Sequence, residues 1–293
     1  MTRVSLREKL ESGTFVVTVE LEPPKGADPN PTLEKAMTLK NHVDAVNIAD
    51  SPMATMRMSP ITLSHILQED VQLETIFHLT CRDRNLLGLQ SELLGAAALG
   101  VSNILTLTGD SPKQGDHPEA TGIFDVNSVG LAKIAKTLNS GFDMAGKELN
   151  KSTNFLIGAV ANPGADDLDV EVQKVKEKIA GGAQFFQTQP VFDVETVAEF
   201  ERRLRQENIK TNILYGLLPL KSFKRATYLN EKVPGIRISQ EILDRVEREG
   251  QVGGVAVAKE LYQQLKTMGV AGVHIFPIGD LQMVHTILDI DLS

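Results

Sequence analysis

Two glutamates separated by one residue, Glu20 and Glu22, end an apolar run, Thr14-Phe-Val-Val-Thr-Val-Glu-Leu-Glu-Pro-Pro24. On an extended chain this spacing puts Thr18, Glu20 and Glu22 on one face and Val17, Val19 and Leu21 on the other. A glutamate turned into a low-dielectric interior is costly to ionise, so its pKa rises and it becomes a proton donor usable near neutral pH. On spacing alone, the pair reads equally well as solvated strand-end carboxylates. A third acid, Asp110, closes the run Asn103-Ile-Leu-Thr-Leu-Thr-Gly-Asp-Ser-Pro112, where a turn-stabilising role is the alternative. The stretch after it, 113–125, is longer and more polar than a minimal connection needs, as functional loops often are. His78, Asn162, Gln187, Gln189 and Phe223 also fall at the ends of apolar runs. His78 is the one histidine expected near this rim, and a hydrogen-bonded structural role competes with a role as base. A divalent-cation cage from Glu20, Asp50 and Asp110 would be the metal reading, but the donor set has no metal-ligand signature and no metal is expected.

These residues need elements that bring them together. Strand patterns run over 14–24, 43–49, 73–80, 103–112, 154–161, 183–189, 212–218 and 272–276. Helical patterns lie between them at 32–41, 60–68, 85–100, 126–139, 169–180 and 194–205, then at 222–231, 239–249 and 252–268. Eight strands alternating with helices, without a composition break, predict an α/β fold: a single-domain (β/α)8 TIM barrel over residues 1–293. An open, doubly wound sheet is the competing arrangement. No Gly-x-Gly-x-x-Gly follows the first strand and no Walker A sequence occurs. The pairs Gly181-Gly182 and Gly253-Gly254 read as helix ends or close-packing points. In a barrel the C-terminal strand ends share one mouth, which would gather Glu20, Asn47, Asp50, His78, Thr80, Asp110, Asn162, Gln187 and Gln189.

With 30 Lys plus Arg against 38 Asp plus Glu, the net charge of −8 disfavours nucleic-acid and acidic-membrane partners. The single cysteine, Cys81, cannot form an internal disulfide or a multi-cysteine zinc site. The N-terminus, Met1 to Leu10, is charged and amphipathic without a signal-peptide core, and no run of about 18 apolar residues occurs. A cytoplasmic location without membrane insertion is expected.

Several segments together resemble a known family. Glu20-Leu-Glu-Pro-Pro24, His78-Leu-Thr-Cys81, Leu107-Thr-Gly-Asp110, Thr188-Gln-Pro-Val-Phe-Asp193 and Leu218-Pro-Leu-Lys-Ser-Phe-Lys224 are similar, in order and spacing, to the landmarks of methylenetetrahydrofolate reductases. Val270-Ala-Gly-Val-His-Ile-Phe276 looks like their last strand. The version from Thr108 to Asn127 is nearest to short bacterial forms and to the reductase half of bifunctional homocysteine methyltransferase/reductase proteins.

This resemblance implies a flavoprotein oxidoreductase of one-carbon metabolism and methionine biosynthesis. It would reduce 5,10-methylenetetrahydrofolate to 5-methyltetrahydrofolate by hydride transfer from reduced flavin. Glu20 matches the general acid, and Asp110 the aspartate near pterin and flavin. Gln189 and Phe223 match substrate contacts, to the pterin and the aminobenzoyl ring. His78, Phe124, Asn162, Glu171 and Lys178 fall at flavin-binding positions. The cofactor implied is FAD. Ala49, Thr108, Asn162, Glu177 and Asp280 depart from the family pattern, which keeps FMN open as the alternative. The partners implied are the folate, then NAD(P)H or an electron-transfer protein, in a homo-oligomer or a complex subunit. The alternative function is a non-catalytic folate-binding or partner subunit of a larger redox complex.

Overall fold

The structure is a computed structural model that describes residues 4–291; the outermost residues of the expected 1–293 unit lie outside the described residues. Eight parallel strands close into a barrel in chain order: β1 (Val16–Leu21), β2 (Ala45–Ile48), β3 (Glu74–Thr80), β4 (Asn103–Leu107), β5 (Leu156–Ala161), β6 (Phe185–Pro190), β7 (Asn212–Leu217) and β8 (Gly272–Ile275). β8 pairs with β1 through Val16↔Gly272 and Thr18↔His274, so no sheet edge is left and the open doubly wound alternative is excluded. Helices connect the strands along the outside: α2 (Asn30–Leu39), α3 (Pro60–Ile66), α4 (Leu86–Ala98), α5 (Ser128–Asn139), α6 (Leu168–Gly181), α7 (Val194–Gln206), α8 (Phe223–Lys232) and α9 (Gln240–Met268). No helix among the described residues is long and apolar enough to cross a membrane.

Side-chain alternation divides each strand between two environments. Val17, Val19 and Leu21 pack outward with Leu33, Ala36 and Leu39 of α2, while Val16 joins an interior cluster with Ala45, Ile76, Leu105, Leu156, Phe185 and Leu214. Parallel strands covered on the outer face and filled on the inner one can be apolar on both sides, which is why their sequence runs are nearly continuous. The helix starts are fixed by short polar side chains. Asn85 accepts from Gly88 N, Asn127 from Gly130 N, Asp193 from Thr196 N and Ser222 from Arg225 N; each such cap stabilises its helix by about 1 kcal/mol.

Two helices fall outside the sequence expectations. α1 (Leu6–Ser12) comes from what reads as a charged amphipathic N-terminus, of which Met1 to Arg3 lie outside the described residues. It plugs the N-terminal mouth of the barrel. Leu6 and Leu10 enter the interior cluster, the Leu6 N–H donates to Glu74 Oε2 at 2.8 Å, and Lys9 pairs with Asp44. α10 (Leu281–Leu288) follows the last strand and buries Met283, Val284 and Ile287. The patterns at 239–249 and 252–268 form one element, α9, kinked at Gly250, where φ 60° and ψ −139° break the helical path. Beyond the kink Gly254 lies against the exit of β7. A Cβ there would sit 1.9 Å from the Leu220 carbonyl oxygen, so only glycine permits the approach.

Candidate active site

The C-terminal mouth of the barrel holds a cavity of about 500 Å³, a volume suited to a small organic ligand. Its lining mixes apolar side chains, Leu105, Leu107, Val160 and Phe276, with polar ones, Glu20, Asp50, His78, Asp110 and Gln189. β1 delivers Glu20 because the alternation that sends Val19 and Leu21 outward turns Thr18 and Glu20 in. No hydrogen bond or ion pair among the described residues reaches the Glu20 carboxyl. Burial, helped by the charge of Glu22, raises its pKa to about 7. Glu22 itself leaves the barrel and lies 3.6 Å from Arg57 Nη2.

Asp50, from the β2 exit, is engaged by protein partners. Its Oδ2 accepts from the Thr80 N–H and hydroxyl, both at 2.9 Å, and from Arg84 Nη1 at 2.8 Å. No His, Cys, Asp and Glu cluster among the described residues could hold a metal ion. Arg82, nearly wholly buried, donates twice to Asp83 and spans to the Ser51 carbonyl. These arginines tie the β2 and β3 exits together. Asp110 follows Gly109, whose φ of +92° and approach to Thr80, where a Cβ would come within 2.9 Å, set the turn that brings the aspartate to the cavity edge.

Beneath this rim lies a buried polar layer. Asn47 and Gln187 pair through their amides at 2.6 and 3.1 Å, Asn47 Nδ2 lies 2.9 Å from His78 Nε2, and Gln187 Nε2 reaches Thr18 Oγ1 at 3.2 Å. Thr18 Oγ1 is 2.9 Å from His274 Nδ1. Burial lowers the His78 pKa to about 4, against a smaller opposite pull from Asp50, and lowers that of His274 to about 3. Both rings are neutral at pH 7. The expectation of a single histidine near the rim is thus corrected: His274 lines the cavity beside His78. Alternation along Gly272-Val-His-Ile-Phe276 was the available signal, since it puts Gly272, His274 and Phe276 on one face. Arg82 and Arg84 carried no such signal, because strand periodicity ends at Cys81.

The predicted site residues separate into two groups. Glu20, His78, Asp110 and Gln189 line the cavity; Phe124, Asn162, Glu171, Lys178 and Phe223 do not. Lys178, on α6, donates from Nζ to the Val160 carbonyl at 2.6 Å, and buried Glu171 accepts the Asn162 N–H at 2.9 Å, so both brace the end of β5. Phe124 sits at φ 50° on the β4 loop, its N–H donating to the Cys81 carbonyl. Phe223 heads α8 and packs against an apolar cluster that includes Phe192, Leu220 and Leu243. Thr108, a departure from the family pattern, accepts the Ser128 N–H at the start of α5.

Comparison with known proteins brings a family into view. The sequence profile described as Methylenetetrahydrofolate reductase matches residues 5–290. The chain is 25% identical over 284 residues to the 5,10-methylenetetrahydrofolate reductase of Pectobacterium carotovorum subsp. carotovorum, covering 94% of this chain and 89% of that one. It is 25% identical to methylenetetrahydrofolate reductase 1 of Schizosaccharomyces pombe over 92% of its own length but only 45% of the yeast protein's, so the chain spans less than half of that relative. Among solved structures, a Clostridium thermocellum protein that binds two copies of 5-methyl-5,6,7,8-tetrahydrofolic acid superposes with a TM-score of 0.67 at 17% identity, covering 96% of each chain. At that identity the likeness shows a shared fold.

Proposed function

The chain belongs to the methylenetetrahydrofolate reductase family, and from that premise we propose that residues 1–293 form one reductase domain. In this reading it converts 5,10-methylenetetrahydrofolate to 5-methyltetrahydrofolate with a bound flavin, and Glu20 supplies the proton. The observation that carries the proposal is the Glu20 carboxyl, facing the cavity without a partner among the described residues, its pKa raised to about 7.

The substrate's bridging methylene must leave N10 before it can be reduced. A carboxylic acid held neutral near pH 7 can donate its proton to N10 and open the five-membered ring to an iminium at N5, which accepts a hydride at the methylene carbon. Asp110 accepts from the pterin's amino and ring N–H groups, and Gln189, donor and acceptor at once, completes the orientation of the ring. Phe223 is assigned the aminobenzoyl ring. Reduced flavin, when bound, supplies the hydride. The apolar side chains of Leu105, Leu107 and Val160 would limit the access of water to that transfer.

The residues present are compatible with a flavin. The cavity lining combines apolar side chains with hydrogen-bonding ones, which suits a flat heteroaromatic ring. Lys178 spends one of its three N–H donors on Val160, leaving two for a phosphate. His78, Phe124, Asn162 and Glu171 are assigned to the remainder of the cofactor, read as FAD. Electrons come from NAD(P)H or an electron-transfer protein.

The test is anaerobic. The purified chain should carry an extractable flavin, identified as FAD or FMN, that is bleached by NADH, NADPH or dithionite and recovers its colour on adding methylenetetrahydrofolate. Glu20→Gln should keep the flavin and lose the recovery. A chain that takes up neither flavin overturns the proposal.

A further inference from the structure

Five side chains from five strands form one hydrogen-bonded chain across the barrel: His274 of β8, Thr18 of β1, Gln187 of β6, Asn47 of β2 and His78 of β3. We propose that Thr18, Gln187 and Asn47 act as positioning residues that lock His78 as the Nδ1–H tautomer and His274 as the Nε2–H tautomer, so that the cavity floor presents two neutral N–H donors.

Donor counting carries the argument. The two amides pair reciprocally, each using its carbonyl and one N–H. The second N–H of Asn47 points at His78 Nε2, which must then be a lone pair, leaving the ring proton on Nδ1. The second N–H of Gln187 goes to Thr18 Oγ1. Thr18, having accepted there, has its own proton to give, and His274 Nδ1 at 2.9 Å is a nearer acceptor than the Val273 carbonyl at 3.4 Å. His274 therefore carries its proton on Nε2. Turning both amides over would reverse every step and offer the cavity two acceptors instead. A mixture of the two arrangements places two N–H groups, or two lone pairs, face to face. The state with N–H groups outward also suits the Asp110 carboxylate in the lining, whereas Asp50, also there, is paired with Arg84.

Each ring lines the cavity, and its other nitrogen has no protein hydrogen-bond partner among the described residues and is not sealed from it. The ligand edge this floor recognises is one with carbonyl or imine acceptors on a planar heteroaromatic ring. Neutral donors bind such an edge without adding a charge. The inference concerns the ligand-free protein and does not rest on the reductase reading, so either can fail alone.

The test is nuclear magnetic resonance on the full chain labelled with ¹⁵N-histidine, without ligand, at pH 7. Two-bond ¹H–¹⁵N correlations identify which ring nitrogen is protonated, and His78→Gln and His274→Gln variants assign the signals. The expected result is one tautomer for each ring, Nδ1–H for His78 and Nε2–H for His274. Any other pair, or a ring averaged between tautomers, overturns the proposal. Gln187→Glu tests the coupling. It places an oxygen opposite Thr18, while its acid proton can be donated to Asn47 Oδ1. Thr18 must then donate to that oxygen and accept from His274, which should switch to Nδ1–H while His78 stays unchanged. An unmoved His274 overturns the coupling. Should that variant fail to fold, Thr18→Val keeps the shape and removes the hydroxyl; His274 should then average between tautomers, and a His274 still held as Nε2–H has the same force.

Discussion

Glu20 and Glu22 stand two residues apart at one strand end yet occupy opposite environments: Glu20 faces the cavity with no hydrogen-bond partner among the described residues, and Glu22 reaches out to Arg57 at 3.6 Å. The second charge helps hold the first carboxyl protonated. Burial is the larger cause of that raised pKa, and a neighbour outside the cavity adds to it.

The pH dependence follows from that pair. In the proposed reaction Glu20 would donate only when protonated, so methylenetetrahydrofolate-dependent reoxidation of the reduced flavin should fall as pH rises through about 7. Glu20→Gln should slow it by about 10²–10⁴-fold. A raised carboxyl pKa also favours folding below the unfolded value and loses that contribution as pH climbs through about 7. Glu20→Gln should thus be more stable than wild type at pH 8, by on the order of 3 kcal/mol, and differ little at pH 4. Thermal melts of both proteins across that range check the sign.

Gly254 is where α9 touches the loop leaving β7. Gly254→Ala sets a methyl group against the Leu220 carbonyl, where the Cβ position is only 1.9 Å away. Overpacking of this kind costs about 1–3 kcal/mol, and the midpoint of a melt should drop by roughly 2–4 °C for each kcal/mol. Gly253→Ala brings its Cβ to 2.8 Å from the Glu249 Cβ and 3.1 Å from the Arg245 carbonyl, a smaller overlap, and should be milder.

Asp116 clasps three loops at the cavity mouth. It takes hydrogen bonds from Lys25 Nζ at 2.7 Å, from the Met56 N–H at 3.0 Å and from His117. These partners, Lys25 foremost, hold its carboxyl well below the usual carboxylate range. Asp116→Ala should leave the barrel's melting unchanged while hydrogen exchange at Met56, and protease cleavage within 111–124, both increase.

Lys178 and the Val160 carbonyl offer a separation between structure and cofactor binding. Lys178→Met removes the donor at 2.6 Å from a strand-end carbonyl and should destabilise the ligand-free protein by about 1–2 kcal/mol. If its remaining donors meet a flavin diphosphate, FAD affinity should fall about tenfold or more while that of riboflavin, which lacks phosphate, changes little. Equal losses for both would remove Lys178 from the cofactor site.

What the sequence determined by itself was the alternation. Eight β-rich runs separated by amphipathic helices specify which residue of each strand turns inward, because side chains on a strand alternate with a period of two. That was enough to turn Glu20 inward, while the strand ends put His78, Asp110 and Gln189 at the barrel mouth. The same rule, applied to Gly272-Val-His-Ile-Phe276, reaches His274 as well. Amphipathicity made α1 visible as a charged stretch, but whether its leucines met solvent or the barrel's lower mouth depended on Glu74 and Asp44, 68 and 35 residues from their partners Leu6 and Lys9. Tertiary structure alone decided the partners. Asp50, a candidate metal ligand by residue type, is saturated by Thr80 and Arg84. Lys178 and Glu171, matched to a cofactor by position, hold the end of β5. Hydrogen-bond partners and desolvation depend on which strands become neighbours when the barrel closes, and Asn47 meets Gln187 across 140 residues. No local pattern records that distance, so the inward-facing residues were legible and the chain of hydrogen bonds joining them was not.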